Sequence, residues 1–487
     1  VRSFLTDPRV LRRVSTEADA FQNLITTGFE MVKLCLIGAG STEFTKKIVT
    51  DLLLMPEFKN MELALMDIDS ERLRVSDLIV RAVARQIGAN PKITMHTDRR
   101  EALRGSHFVQ TSIQVGGYDP ATKIDFEIPK KYGLRQTIAD TLGVGGIMRG
   151  LRTIPVLVDI GRDIMEICPD AIWLQYVNPM CMNMMAIARL VPEVKTVGLC
   201  HSVQGTAEML ADDLGEKVED IVFQCAGINH MAFYLKFGKR LADGTTEDLY
   251  PRLRELAQKI ASGEDQFSSR ARKPRPEGHR MSHLTERVRY EMLNRMGYFV
   301  TESSEHFAEY VPWFIKRDRP DLLEQYQVPL DEYVDRCEYS LKRWGDYANT
   351  LQEESKLETY RSNEYAGEII RAAVTGDAVV INGNVPNNGL IDNLPAEACV
   401  EVPCLIDRSW ISPTKIGKLP PQLAAMMQTN INVQELTVEA IATGKKESVY
   451  HAAMMDPHTA AELSLDDIWK LTDDMLSAHG DMIPALH

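Results

Sequence analysis

The chain has 487 residues, with 55 basic and 69 acidic side chains, so its formal charge at pH 7 is −14. Without a basic excess to neutralise phosphates, a nucleic-acid partner is excluded. Hydrophobic residues make up 44% of the chain, but polar residues break every apolar stretch before it reaches the length of a membrane span, so we expect no membrane partner. This length predicts either two domains or one large two-layer unit.

Cysteine usage indicates a reducing compartment. Eight cysteines are spread along the chain without CxxC pairs, and 22 methionines accompany them. This pattern fits the cytoplasm better than a secreted disulfide scaffold. Residues 1–30 lack the apolar core of a signal peptide and mix basic with acidic side chains. We interpret them as an extension with little fold content, upstream of a domain that begins at Met31.

From Met31 onward, the alternation of apolar runs and helical patterns predicts an α/β fold of the Rossmann type, with a doubly wound, mostly parallel sheet. The first run is continuously apolar, as expected for a strand buried on both faces. Strands are predicted at 32–37, 63–66, 93–96, 108–115, 172–177 and 194–199, helices at 42–55 and 70–87, and a glycine loop at 143–146 before a helix that ends near 168.

The pattern changes after residues 227–230, where longer helical segments dominate. We therefore predict a boundary near residue 225, between a dinucleotide-binding domain at 31–225 and a larger α+β domain at 226–487 for substrate binding and oligomerisation. A stretch rich in proline and arginine at 268–276 is predicted to be mobile.

The first candidate site is the glycine turn after the first strand. Gly38 and Gly40 allow the backbone to approach a pyrophosphate at the start of a helix, and Ser41 follows them. Asp67 ends the second strand, where an acidic residue can accept hydrogen bonds from a ribose and favours NAD over NADP. Because Glu43 stands where the usual fingerprint has its third glycine, an ordinary strand–helix turn remains the alternative.

The second candidate site combines Cys200-His201 with Asn229-His230. Each pair follows a predicted strand or turn, and ligands bind at the carboxyl ends of strands in open α/β sheets. A thiolate and an imidazole can ligate one divalent metal while leaving positions open for substrate oxygens. The alternative is a buried cysteine and a histidine that is merely hydrogen-bonded.

A third polar run, at 301–306, contains two carboxylates and a histidine beside aromatic residues. It fits either the wall of a site or the solvated start of a helix with a capping serine. The methionines at 180, 182, 184 and 185 are interpreted as core packing.

Several longer motifs together resemble glycoside hydrolase family 4, and most closely its α-galactosidase branch. The resemblance runs from Met31 to the C-terminus, and CHSV at 200–203 is the part similar to the α-galactosidases. The motifs are LIGAGST (36–42), ALMDID (64–69), QVGGYDP (114–120), TIADTLGVGGIMRGLRTIP (137–155), YVNPM (176–180), GLCHSVQGT (198–206), CAGINHMAFYL (225–235) and GYFVTESSEH (297–306).

This resemblance implies a redox-neutral elimination, the exception to two-carboxylate glycosidase chemistry. NAD+ would oxidise the sugar at C3, which acidifies the C2 proton, and a divalent metal, usually Mn2+, would polarise the oxygens at C2 and C3. Departure of the aglycone, addition of water and return of the hydride would complete hydrolysis with retention of configuration.

The resemblance also implies roles for individual residues. Cys200 and His230 would bind the metal, and Asn178 would bind sugar hydroxyls. His201 occupies the position of the leaving-group acid, where relatives carry an aspartate. Tyr290, sixty positions after His230, would be the base, with Glu291 as its fallback.

Two further residues have alternatives. Asp140 matches an acidic position that supports the base, although it could equally cap the loop before Gly143. Arg149 would hold substrate, and Arg152 shares that possibility, but both could equally lie on a helix surface.

The substrate is therefore expected to be a small-molecule α-galactoside such as melibiose, bound by a homodimer or homotetramer. A family member acting on an α-glucoside or a uronic acid is the first alternative, and a carboxylated sugar would require a cation such as Arg149 or Arg295. A net NAD-dependent dehydrogenase, which needs no Cys–His metal pair, and a nucleotide-sensing module are the others.

Overall fold

The computed structural model describes residues 31–264, 286–350, 357 and 359–487. The predicted extension at 1–30 and the stretch at 268–276 lie outside the described residues. Within the described part of the chain, no helix is both long enough and apolar enough to cross a membrane.

The described residues form an α/β fold. Its strands are β1 Lys33–Ile37, β2 Glu62–Met66, β3 Lys92–His96, β4 Phe108–Thr111, β5 Ile172–Gln175, β6 Thr196–Gly198, β7 Ile221–Ile228, β8 Met231–Arg240, β9 Thr246–Asp248, β10 Val379–Pro386, β11 Cys399–Asp407 and β12 Trp410–Pro413.

The helices alternate with these strands in the first half and dominate the second. They are α1 Thr42–Leu53, α2 Ser70–Ile87, α3 Arg99–Leu103, α4 Lys123–Lys131, α5 Gly143–Ile167, α6 Met180–Leu190, α7 Ser202–Leu214, α8 Tyr250–Ser262, α9 Arg287–Met296, α10 Ser304–Tyr310, α11 Pro320–Tyr326, α12 Glu332–Thr350, α13 Tyr365–Thr375, α14 Pro421–Thr443, α15 Glu447–Met455, α16 Pro457–Glu462 and α17 Leu465–His479.

The chain divides into two compact units that are not contiguous in sequence. The first contains the described residues up to Gln110, together with those of 356–381 and 404–412, and the second contains the remainder. The sequence predicts a single boundary near residue 225, and that division stays a prediction.

In the first unit, the strand order β3-β2-β1-β4 is that of a Rossmann half, with β1, β2 and β3 parallel. Leu34, Cys35 and Leu36 of β1 are fully buried, as expected for a strand covered on both faces. Asp69 caps α2 by accepting hydrogen bonds from the amides of Glu71 and Arg72, both at 3.0 Å. An N-cap of this kind stabilises a helix by about 1 kcal/mol. Because α2 starts there, Asp67 is held at the end of β2 beside the glycine turn.

In the second unit, the sheet is mixed. β5 and β6 are parallel, whereas β10 pairs with β6, and β11 with β7, in antiparallel register. β7 and β8 form a hairpin. Asn178 and Cys200 follow the ends of β5 and β6, and the turn of the hairpin carries Asn229 and His230. These secondary-structure and topology findings confirm the predicted Rossmann-type α/β fold with a mixed α+β part.

Two predicted boundaries are corrected. Residues 143–146 form the first turn of α5 rather than a loop before it. Added Cβ atoms would lie 2.7 Å from Ala139 at Gly145 and 2.6 Å from Thr141 at Gly146, so these glycines permit close packing. β4 ends at Thr111 rather than at 115, since the chain then turns and Gly116 adopts a φ of 80°.

A fully buried ion cluster ties α5 to two other helices of the second unit. The Arg152 guanidinium donates to both carboxylate oxygens of Asp125 on α4, at 3.2 and 2.5 Å, and to the Val115 carbonyl at 3.1 Å. His479, at the end of α17, lies 2.9 Å from Asp125. Arg152 therefore has a structural role, and neither the substrate nor the helix-surface alternative holds for it.

Because removal of one partner leaves a buried charge uncompensated, we predict that Arg152→Met lowers the free energy of unfolding by about 3–5 kcal/mol. Arg162→Met is the matched control on the same helix, because Arg162 pairs with Asp159 at the surface, where the two side chains are 64% and 60% exposed. This control should cost less than about 1 kcal/mol. Urea unfolding followed by circular dichroism measures both, and equal midpoints for the two variants would contradict the assignment.

Candidate active site

The glycine turn of the first unit is built around Asp67. Its Oδ2 accepts from the Gly40 amide at 2.8 Å and its Oδ1 accepts from the Asp69 amide at 2.9 Å. Gly38, with a φ of 86°, is in the left-handed region, and a Cβ at position 40 would lie 2.6 Å from the Asp67 carboxylate. Ser41 is exposed immediately before α1. The turn thus has the bare backbone and helix N-terminus that fit a dinucleotide pyrophosphate.

The second unit brings together a thiol, an imidazole and a carboxylate. Cys200 Sγ lies 3.4 Å from His230 Nε2, and Glu302 Oε2 lies 3.4 Å from the same nitrogen. One ligand atom from each of the three residues lies within 4.8 Å of the other two. Sulfur, nitrogen and oxygen donors at this separation fit a divalent transition metal, and three protein ligands leave positions for substrate oxygens.

Hydrogen bonds orient the His230 ring. Thr141 Oγ1 donates to Asp140 at 2.9 Å, so toward His230 Nδ1, 3.2 Å away, this hydroxyl acts as an acceptor. Tyr310 contributes a second hydroxyl 3.1 Å from Nδ1. The proton is thereby assigned to Nδ1, and the lone pair of Nε2 faces Cys200 and Glu302, as a metal ligand requires.

Two of the three cluster residues have a strained backbone. His230 has a φ of 63° and Glu302 a φ of 65°, values that residues other than glycine rarely adopt. Such conformations cost about 1–3 kcal/mol each and concentrate at functional sites. The fold therefore maintains this side-chain arrangement against a local cost.

The cluster has an electrostatic need for a cation. Burial raises the pKa of the Cys200 thiol, and the nearby charges of Glu302 and Glu401 raise it further. Burial also opposes ionisation of Glu302, but the imidazoles of His306 and His230 outweigh it and lower the pKa of that carboxyl to about 2. A bound divalent metal would favour the Cys200 thiolate, because metal ligands bind deprotonated.

The polar run at 301–306 forms a wall of the site rather than a solvated helix start. Thr301, Glu305 and His306 are buried, and the His306 ring centroid lies 5.1 Å from that of His230. His306 Nδ1 lies 2.7 Å from Ser303 Oγ. Burial lowers the pKa of His306 to about 4, so its imidazole is neutral at pH 7.

Further polar side chains form a second contact chain beside this cluster. Asn178 Nδ2 donates to Asp140 Oδ2 at 3.3 Å, and Arg149 Nε donates to the Asn178 carbonyl at 3.3 Å. Arg149 also donates to the Tyr333 hydroxyl at 3.2 Å. Burial opposes ionisation of Asp140, yet Arg149 and His306 lower its pKa overall. Asp140, Asn178 and Arg149 thus lie together, and Arg149 is buried rather than on a helix surface.

The structure does not bring Tyr290 to the cluster. Tyr290 lies in an apolar core, with its ring centroid 4.9 Å from that of Phe299 and its hydroxyl donating to Asp213 at 2.5 Å. The fallback Glu291 is bound by Arg295 at 2.9 Å. His201 is exposed next to Cys200, and its charge contributes to lowering the pKa of Glu302.

Sequence reasoning missed Tyr310 and Tyr333 and assigned no definite role to Glu302. The sequence signal for Glu302 was its position in a polar run flanked by aromatic residues. For Tyr310 a signal existed only in its six-residue separation from the strand-end motif's neighbour His306 region, at 310 against 306, and helical spacing i, i+4 places both on one face.

Models of family 4 glycosyl hydrolases match most of the chain. The model named "Family 4 glycosyl hydrolase" covers residues 33–216, and the model of the family's C-terminal domain covers residues 225–459. The resemblance noted from the motifs is therefore confirmed.

Individual relatives agree with this match. An alpha-galactosidase of Bacillus subtilis (strain 168) is 47% identical over 93% of this chain and 99% of its own length. An alpha-galacturonidase of Thermoanaerobacterium saccharolyticum is 31% identical over 91% of this chain and 95% of its own length.

Among solved structures, a 6-phospho-alpha-glucosidase from gut microorganisms, in complex with NAD and Mn2+, superimposes with a TM-score of 0.76. It is 20% identical and covers 94% of this chain and 100% of its own, so it supports the fold alone. With the family models and the full-length relatives in agreement, the chain belongs to family 4 of the glycosyl hydrolases.

Proposed function

We propose that this protein is an α-galactosidase that hydrolyses terminal α-galactosides such as melibiose with the help of NAD+ and a divalent metal such as Mn2+. The observation that carries this proposal is the Cys200–His230–Glu302 cluster, which a conventional two-carboxylate glycosidase would not need. The similarity to an alpha-galactosidase along nearly the whole chain supports the choice of sugar.

The cofactor, when bound, would supply a hydride acceptor, and the metal would supply a Lewis acid that polarises sugar oxygens. Gly38, Gly40 and Ser41 would hold the pyrophosphate and Asp67 the ribose, consistent with the open backbone at the turn. Cys200, His230 and Glu302 would hold the metal.

The remaining polar residues would bind and orient the sugar. Asn178, fixed by Asp140 through its Nδ2, is suited to contact sugar hydroxyls, and Arg149 braces it through its carbonyl. His201 is exposed beside Cys200 and would donate the proton to the leaving oxygen from its imidazole. We do not extend the assignment of base to Tyr290, because its hydroxyl is bound to Asp213.

The contacts of two arginines favour a neutral sugar over a uronic acid. A carboxylate at C6 would require a cation directed at it. Arg149 already donates to Tyr333 and Asn178, and Arg295, 76% exposed, pairs with Glu291. Neither cation is therefore arranged to receive a sugar carboxylate.

The finer setting of the enzyme is also part of this proposal. We infer a cytoplasmic location, because all eight cysteines are unpaired and a metal-binding Cys200 must stay reduced. A homodimer or homotetramer is inferred from the family resemblance alone.

Glu302→Gln should weaken Mn2+ binding by about tenfold to a hundredfold, because a neutral amide replaces an anionic ligand. Glu255→Gln is the matched control, since Glu255 is 65% exposed and pairs with Lys259 on α8. Isothermal titration of the apoprotein with MnCl2 measures both affinities. Equal affinities for the two variants would remove Glu302 from the ligand set, whatever the catalytic activity.

The proposed activity is tested by hydrolysis of p-nitrophenyl α-galactoside by metal-stripped protein, with NAD+, Mn2+ and a thiol reductant added singly and together. We expect cleavage only when NAD+ and Mn2+ are both present, without accumulation of NADH. Steady NADH formation would identify a net dehydrogenase instead.

The same assay distinguishes the other candidates. Cleavage without NAD+ or metal would indicate ordinary acid–base hydrolysis and contradict the site assignments. Cleavage of the corresponding α-glucoside or α-galacturonide, but not of the galactoside, would keep the chemistry and reject the proposed sugar.

A further inference from the structure

The segment 137–141, which carries Asp140, is held by a carboxylate that the proposed chemistry does not use. Glu309 on α10 is buried, and its two oxygens accept three consecutive backbone amides. Oε2 accepts from Thr137 at 2.9 Å and from Ile138 at 3.1 Å, and Oε1 accepts from Ala139 at 2.9 Å.

Three successive amides directed at one anion form a nest, an arrangement that requires a change from right-handed to left-handed backbone. Ala139 accordingly has a φ of 53°. Alanine has no side chain that could compensate for this conformation, so the compensation comes from outside the segment. The three charge-assisted hydrogen bonds to Glu309 provide it.

The opposite side of the segment is held by α5. Gly145 and Gly146 lie so close to Ala139 and Thr141 that a Cβ at either glycine would be within 2.7 Å of them. Thr137 Oγ1 also donates to the Glu305 carbonyl at 2.6 Å. The segment is therefore fixed between α10 and the first turn of α5.

The direction of Asp140 depends on this fixed backbone. Asp140 directly follows Ala139, and its carboxylate meets Asn178 Nδ2 at 3.3 Å and Thr141 Oγ1 at 2.9 Å. Thr141 in turn contacts His230 Nδ1. Release of the left-handed conformation at Ala139 would turn both side chains away from these partners.

We propose that Glu309 is a positioning residue, whose carboxylate organises the amides of residues 137–139 and thereby directs Asp140 at Asn178. It does not touch the substrate or the metal cluster. The catalytic consequence of this inference rests on the proposed function, whereas the structural part does not.

Burial raises the pKa of the Glu309 carboxyl to about 7, while the amides of Thr137, Ala139 and Ile138 oppose that rise. The anion is the form that accepts all three hydrogen bonds without presenting a proton to them.

The test is a double-mutant cycle between Glu309→Gln and Asp140→Asn, with kcat and KM measured on p-nitrophenyl α-galactoside. Because a displacement near 1 Å costs about 100-fold, Glu309→Gln should lower kcat by roughly that factor. If Glu309 acts through Asp140, the double variant should be no slower than Asp140→Asn alone, within about twofold. Multiplication of the two losses would overturn the proposal.

Hydrogen exchange provides a readout that does not depend on activity. The amides of residues 137–139 should exchange at least about tenfold faster in Glu309→Gln than in the wild-type protein, because each loses its acceptor. Unchanged exchange at these three amides would overturn the proposal even if activity fell. If the wild-type protein cleaves no galactoside, the exchange result still decides the role of Glu309, and only the proposed function fails.

Two additional variants separate positioning from loss of stability. Glu309→Asp keeps the charge but shortens the side chain, so it should fold and lie between wild type and Glu309→Gln in both readouts. Glu462→Gln is the matched control, since Glu462 is a buried carboxylate that accepts the Arg317 amide at 2.7 Å and pairs with Lys316. It should leave kcat and the exchange of residues 137–139 unchanged, and a loss equal to that of Glu309→Gln would assign the effect to general destabilisation.

Discussion

The burial of Cys200 beside the Glu302 carboxylate is the constraint on which the site depends. A thiol in this position resists ionisation, whereas the carboxylate is held in its charged form by the surrounding imidazoles. Such an arrangement is unfavourable for a thiolate unless a cation joins it. The neighbouring features are consistent with that requirement: the hydroxyls of Thr141 and Tyr310 hold His230 at Nδ1, and the backbone strain at His230 and Glu302 keeps their side chains directed at one point.

The fold explains why these groups meet. Cys200 follows β6 and Asn178 follows β5, two parallel neighbours whose ends lie at the same edge of the sheet. His230 comes from the hairpin turn of β7 and β8, which is joined to β6 through β10 and β11. Glu302, His306 and Tyr310 come from the segment leading into α10 and from that helix. The residues are far apart in the chain, and only the order of the strands assembles them.

This origin also explains what the sequence could predict. The glycine turn, β1, β2 and α2 follow from local patterns, because continuous apolar runs, glycines and a capping aspartate each determine the structure next to them. Cys200 and His230 could be paired because strand ends converge in an α/β sheet. Tyr290 was placed by its distance along the chain from His230, and such a distance does not determine a position in space once a helix begins between the two residues. Tyr310 and Glu309 have contacts only across elements, so no local pattern indicates their roles.

The most direct test of the account is a titration of the apoprotein with Co2+, followed by the thiolate-to-metal charge-transfer absorption. We expect this band to saturate at one equivalent per chain, to disappear in Cys200→Ser, and to persist in Cys337→Ser, the control at the partly exposed cysteine. A band that survives in Cys200→Ser, or no band in the wild-type protein, would contradict the assignment of the buried thiol as a metal ligand.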